Sequence, residues 1–209
     1  MRVKVCGITH EEQLKELPAA GASFAGFIFY PKSPRYVLRH MTTNQIKKEN
    51  SINKVGVFVN ASVDEVLHMV DECRLHMVQL HGDETPKYCE KIADYISVVK
   101  AFRFSETDNI GYRIQEYMSY CDMFMFDTEG VGYGGTGKKL NLEKLHGVQV
   151  GKPYFLSGMI DENDAAALNA FAQRPEAKAL FAIDLCSRFE VTTGIKDMEK
   201  IKGFIQQLV

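Results

Sequence analysis

The sequence predicts an α/β chain folded as one (β/α)₈ TIM barrel over residues 1–209, and three observations carry that expectation. Short apolar, β-rich runs recur eight times, at 2–5, 24–29, 54–58, 77–80, 97–102, 123–126, 154–156 and 180–185. Segments of helical periodicity separate them, which implies right-handed crossovers and a parallel sheet. The 209 residues, 45% of them hydrophobic, suffice for one buried core and lie at the short end for a closed barrel. An open doubly wound sheet is the competing arrangement. It is disfavoured because Cys6-Gly7-Ile8-Thr9 offers one glycine where a dinucleotide fold needs three.

In the first run, Arg2, Lys4 and Cys6 share one parity and Val3 and Val5 the other, so a strand directs both cations and the thiol to one face. Thr9 and Glu12 have the spacing of a capping box, which places a helix after a short turn. The second run leads into Pro31-Lys32-Ser33-Pro34-Arg35-Tyr36, a loop stiffened by two prolines. After the third, Asn60-Ala61-Ser62 opens helical periodicity over Val63–Cys73, and further helices are expected over 85–95 and 161–171. Residues 129–139 follow the sixth run and hold Gly130, Gly132, Gly134, Gly135 and Gly137. Such a segment can close over a ligand, and it is equally compatible with plain disorder.

Barrels of this kind draw their chemistry from the carboxyl ends of the strands. Those ends are polar here: Cys6, Asn60, Gln79 with His81, Asp127, Ser157-Gly158, and Asp184 through Arg188. A thiol and a carboxyl facing one cavity suit a reaction that moves protons without a metal or cofactor. Cys6 is then the base, with Lys4 expected to favour its thiolate, and Asp127 the acid, kept protonated by the apolar run 123–126. The seventh and eighth loops, Ser157-Gly158 and Cys186-Ser187-Arg188, suit phosphate. Each residue alone also has a plainer role. Cys6 could be a small buried hydrophobe, Asp127 a turn residue, His81 a helix cap, Arg35 a surface cation and Ser157-Gly158 a simple turn.

A net charge of −2 and a pI of about 6.3 lack the basic excess that phosphate-backbone binding needs, so nucleic acid is not an expected partner. Five cysteines, at positions 6, 73, 89, 121 and 186, show no C-x-x-C spacing, which argues for reduced thiols in the cytoplasm and against zinc or a redox couple. The cationic, strand-like start has no apolar stretch of secretory type, and no apolar run reaches the ~18 residues of a membrane span. No membrane contact is expected, and both monomer and homodimer remain open.

Ordered motifs span nearly the whole chain: Lys4-Val5-Cys6-Gly7-Ile8-Thr9, Gly26-Phe27-Ile28-Phe29 followed by Pro31 through Arg35, Val55 through Asn60, Val78 through Glu84, Phe126-Asp127-Thr128 and Gly134-Gly135-Thr136-Gly137. In this set the chain resembles the phosphoribosylanthranilate isomerases, (β/α)₈ enzymes of tryptophan biosynthesis. The resemblance implies an Amadori rearrangement of N-(5-phosphoribosyl)anthranilate with no cofactor and no metal. It implies Cys6 as general base, Asp127 as general acid, Arg35 as the partner of the anthranilate carboxylate, and His81 and Asp184 as substrate-binding residues. It also implies phosphate binding at Gly158, Met159, Ser187 and Arg188. Two departures fall in the phosphate loops, where a usual glycine pair is Gly158-Met159 and a usual Ser-Ser-Gly is Cys186-Ser187-Arg188. The rival expectations are an isomerase of a related aminoaldose phosphate and a barrel that binds sugar phosphate without turning it over.

Overall fold

The computed structural model describes residues 1–104, 109–128 and 142–209. Eight parallel strands close into a barrel in sequence order: β1 (Arg2–Cys6), β2 (Phe24–Ile28), β3 (Asn53–Phe58), β4 (Met77–Leu80), β5 (Ser97–Phe104), β6 (Met123–Thr128), β7 (Tyr154–Leu156) and β8 (Leu180–Leu185). All eight expected runs are strands, each within two residues of its expected bounds. β1 pairs with both β2 and β8, which closes the ring and leaves no open edge.

Helices α1 (Glu11–Glu16), α2 (Thr43–Lys48), α3 (Val63–Cys73), α4 (Pro86–Ala93), α5 (Ile110–Gln115), α6 (Ala165–Ala172) and α7 (Met198–Ile205) cover the outside. Between β6 and β7 the described residues hold a 3₁₀ turn, Leu142–Leu145. The glycine-rich segment 129–139 lies outside the described residues, and with it the expectation that it closes over a ligand.

Apolar side chains form two layers, as strand alternation requires. Phe24, Val55, Val99, Ala101, Met125, Phe155 and Ala182 fill the barrel interior. The opposite parity, including Val3, Val5, Phe27, Val78, Phe102 and Phe124, packs against the helices.

Local chemistry sets the helix starts. Ser62 and Glu65 form a reciprocal capping box at α3, and the Thr85 hydroxyl accepts from the Tyr88 amide at α4, where Pro86 occupies the first turn. The box expected at Thr9 is absent. The cap of α1 is His10, and the buried Thr9 hydroxyl donates instead to the Gly194 carbonyl. A long-range acceptor in the hairpin of β9 (Glu190–Thr192) and β10 (Ile195–Lys196) has outcompeted the local one. The segment expected over 161–171 begins its helix at Ala165, because the Asp164 carboxylate accepts from the Asp161 amide and holds that stretch as a turn.

Candidate active site

The carboxyl end of the barrel opens into a cavity of about 390 Å³. Cys6, Arg35, Gln79, His81, Asp127, Gly158, Met159, Asp184, Cys186, Ser187 and Arg188 all line it. Every site residue named from the sequence therefore meets in one concave space. The parity argument for β1 accounts for the innermost of them: Lys4 and Cys6 project inward, while Arg2, at the other end of the strand, lies 4.5 Å from the Phe181 ring.

Gly26 makes room for this arrangement. A Cβ there would sit 3.0 Å from the Cys6 sulfur, the Cys6 Cα and Lys4 Cε, so β2 must offer a bare backbone where the thiol and the lysine stem lie.

Lys4 is fully buried, and its Nζ donates to both oxygens of Asp184 at 3.0 Å and to Gln79 Oε1 at 2.9 Å. Burial opposes the charge, but Asp184 and Cys6 together outweigh it, and Lys4 titrates above its ordinary range. Burial likewise lifts the Asp184 carboxyl, against the pull of Lys4. The lysine is thus committed to Asp184, a partner the sequence analysis did not foresee for it.

The consequence reaches Cys6. Its thiol is pushed well above the ordinary cysteine value by a hydrogen bond with Cys186 and by burial, and Lys4 offsets these only in part. Cys186 moves the other way, down to about 6: the Cys6 thiol donates to it, and Lys196 and Arg35 add positive charge, despite burial. The two adjoining thiols titrate as a pair, and Cys186, the sulfur nearer Lys196 and Arg35, is the one drawn down.

Gln79 extends the chain of contacts. Its Oε1 is occupied by Lys4, so its Nε2 donates to His81 Nδ1 at 2.7 Å. A neutral His81 then carries its proton on Nε2, which points at Asp127 Oδ2 from 3.4 Å without forming a hydrogen bond among the described residues. Asp127 itself is 7% exposed at the end of β6.

The βα loops under His81 are braced from below. Lys100 Nζ donates to the Leu80 and Gly82 carbonyls and to Glu84, whose carboxylate accepts from the Gly82 and Asn60 amides. Lys100 and Glu84 are both buried, so the pair ties β5 to the loops after β3 and β4.

Arg35 does not stand free. Its Nε and Nη2 form a fork on Glu190 of the β9 hairpin at 2.8 and 2.6 Å, and Lys196 Nζ meets the same carboxylate at 2.6 Å. Burial raises the Glu190 carboxyl, but Arg35 and Lys196 pull it below the ordinary carboxylate value. Lys196 escaped the sequence analysis because it stands in no motif. Its position comes from the antiparallel β9–β10 pairing, with Gln13 of α1 holding its backbone.

The phosphate-type loop after β7 keeps a glycine-like path. Gly158 has φ 106° and Met159 φ 47°, a left-handed conformation that costs a non-glycine residue about 1–2 kcal/mol. The backbone turns as two glycines would, and the methionine side chain contributes to the cavity wall.

Among the described residues no group of three or more His, Cys, Asp or Glu side chains could hold a metal ion, and no helix is long and apolar enough to cross a membrane.

Comparison with known proteins adds a family. The family model described as N-(5'phosphoribosyl)anthranilate (PRA) isomerase matches residues 3–207. A relative named N-(5'-phosphoribosyl)anthranilate isomerase from Parabacteroides distasonis is 36% identical, with 100% of this chain and 94% of the relative covered. The crystal structure of phosphoribosyl anthranilate isomerase from Thermotoga maritima superposes with a TM-score of 0.85 at 31% identity, covering 99% of this chain and 98% of that one. A further structure, of a phosphoribosyl anthranilate isomerase in complex with reduced 1-(o-carboxyphenylamino)-1-deoxyribulose 5-phosphate, superposes at 0.81 with 29% identity and coverages of 99% and 97%.

Proposed function

We infer the chemistry from one premise: the chain belongs to the N-(5'-phosphoribosyl)anthranilate isomerase family. It is an isomerase of the aldose–ketose type in tryptophan biosynthesis. Its substrate is N-(5'-phosphoribosyl)anthranilate and its product 1-(2-carboxyphenylamino)-1-deoxyribulose 5-phosphate.

The residue roles are our proposal. Asp127 gives a proton to the furanose ring oxygen as the anomeric C–O bond breaks, and the amine lone pair forms the Schiff base. Cys6 then removes the C2 proton, and the electron pair moves to give an enolamine that tautomerises to the ketone. Each step transfers one proton between the substrate and one of these two side chains. The proton-sharing thiols give Cys6 a route to its basic form: its proton passes to Cys186 as the substrate approaches. His81 Nε2–H stabilises Asp127 once that carboxyl has given up its proton.

Arg35, already forked on Glu190, is oriented to present its remaining N–H groups to the anthranilate carboxylate, where a guanidinium supplies direction as well as charge. The amides after Ser157 and around Ser187, with the Arg188 side chain, bind the phosphate at the cavity's other side. Asp184 holds Lys4 in the floor of the site.

One observation carries this assignment: Cys6 and Asp127, from strands on different sides of the ring, line the same cavity. The test is steady-state turnover of the fluorescent anthranilate derivative by the purified chain and by Cys6→Ala and Asp127→Asn. Each variant is expected to lose ~10²-fold or more in kcat with KM little changed. Near-normal rates in both would reject the assignment and favour a barrel that binds without turnover.

A further inference from the structure

Among the described residues two pairs of thiols adjoin closely enough to act on each other's protonation, Cys6 with Cys186 and Cys89 with Cys121. Access distinguishes them. Cys89 on α4 and Cys121 ahead of β6 are buried away from the cavity, at 0% and 3% exposure, whereas Cys6 and Cys186 both line it.

The β1–β8 ladder explains how Cys6 comes to adjoin Cys186. Lys4 faces Asp184 and Val5 faces Leu185; Cys6 ends β1 and Cys186 is the first residue after β8, so both stand where the ladder ends, and both line the cavity. Adjacent strands lie ~4.8 Å apart, and a disulfide spans Cα separations of ~4.4–6.8 Å. Both thiols are free, and both face the cavity.

We propose that Cys6 and Cys186 form a redox modification site, which a small hydroperoxide entering the cavity converts to an intramolecular disulfide. The Cys186 thiolate attacks one peroxide oxygen, an S–O bond forms as the O–O bond breaks, and the departing hydroxide leaves as water after taking a proton from solvent. The Cys6 sulfur then displaces the sulfenic hydroxyl, which departs with the Cys6 proton as a second water. Two thiols lose two electrons and hydrogen peroxide is reduced to two waters.

The electrostatics favour that order. Donation from the Cys6 thiol, with Lys196 and Arg35 beside it, keeps Cys186 largely ionised at neutral pH. Thiol–disulfide exchange with a dithiol reverses the bond, so a site closed in this way recovers. The loss of turnover on closure rests on Cys6 being the general base, as proposed above. Formation of the bond does not.

The full chain, treated with hydrogen peroxide, quenched with catalase, alkylated and digested with trypsin without reductant, tests both parts. Trypsin releases residues 5–15, containing Cys6, and 179–188, containing Cys186. The expected product is these two peptides joined and lighter by two hydrogens, with turnover falling in step and returning with dithiothreitol. In Cys186→Ser the joined peptide is absent, and dithiothreitol restores none of the rate that variant loses to peroxide. The proposal is overturned if oxidised wild type yields no 5–15/179–188 product, if Cys89 and Cys121 join first, or if Cys186→Ser is inactivated just as reversibly. A joined product with undiminished turnover keeps the modification site and rejects Cys6 as the base.

Discussion

Gly7→Ala isolates how the turn after β1 and the loop after β2 depend on each other. Gly7 has φ 77°, and a Cβ there would lie 2.7 Å from Arg35 Cδ. The left-handed conformation costs alanine about 1–2 kcal/mol, and the stiffer unfolded chain returns ~0.4–1, leaving about 0–1.5 kcal/mol from backbone alone. The clash adds more. Carbon–carbon contact needs ~3.5 Å, so the Arg35 stem must retreat by about 1 Å, and its fork on Glu190 cannot follow. The Arg35 side chain is 18% exposed, so the low end for hydrogen bonds to a charged group, ~1.5 kcal/mol for the whole fork, is appropriate. The sum is about 1.5–3 kcal/mol, or a fall in Tm of about 3–12 °C for a chain of this size. Urea denaturation of Gly7→Ala, Arg35→Ala and the double variant measures the terms separately. With the arginine stem removed, Gly7→Ala should cost only the backbone part, ~1.5 kcal/mol or less, a coupling of about 1.5 kcal/mol. Additive losses within ~0.3 kcal/mol would show that the glycine serves only its own turn.

Lys4→Met should destabilise the chain by ~3–5 kcal/mol, because it leaves the buried Asp184 carboxylate unpaired; the double variant Lys4→Met/Asp184→Leu should recover much of that. A single-variant loss below ~1 kcal/mol in urea would contradict the ion pair as described. Alkylation of the Cys6/Cys186 pair should respond to pH as a lowered thiol does. Cys186 is protonated below about 6 and a thiolate above it, so the rate should climb through about 6 and level off at neutrality. Lys196→Met removes one stabilising cation, and its rate curve should move towards higher pH; an unmoved curve would mean that the lysine does not act on the thiolate.

Much of this architecture is written locally. The run 2–5, with polar and apolar residues alternating, reads as a strand with two different faces, and eight short β-rich runs separated by helical segments left the closed parallel barrel as the simplest solution. Capping at Ser62 and Thr85 was legible because hydroxyl and amide are three residues apart. Thr9 misled for the converse reason: its hydroxyl found the Gly194 carbonyl, an acceptor that exists only after the chain has closed on itself.

The site divides along the same line. Which side chains end the strands follows from the two-residue alternation of each strand, a property of the covalent backbone, and so Cys6, His81, Asp127 and Asp184 could be picked out unaided. How those groups are paired is set by barrel closure. The β1–β8 register puts Lys4 on Asp184 and Cys6 beside Cys186, and the β9 hairpin carries Glu190 to Arg35 and Lys196 towards Cys186. Charge and hydrogen bonding act through space over a few ångströms, so protonation belongs to neighbours that are remote in sequence, and only the folded ring brings them together.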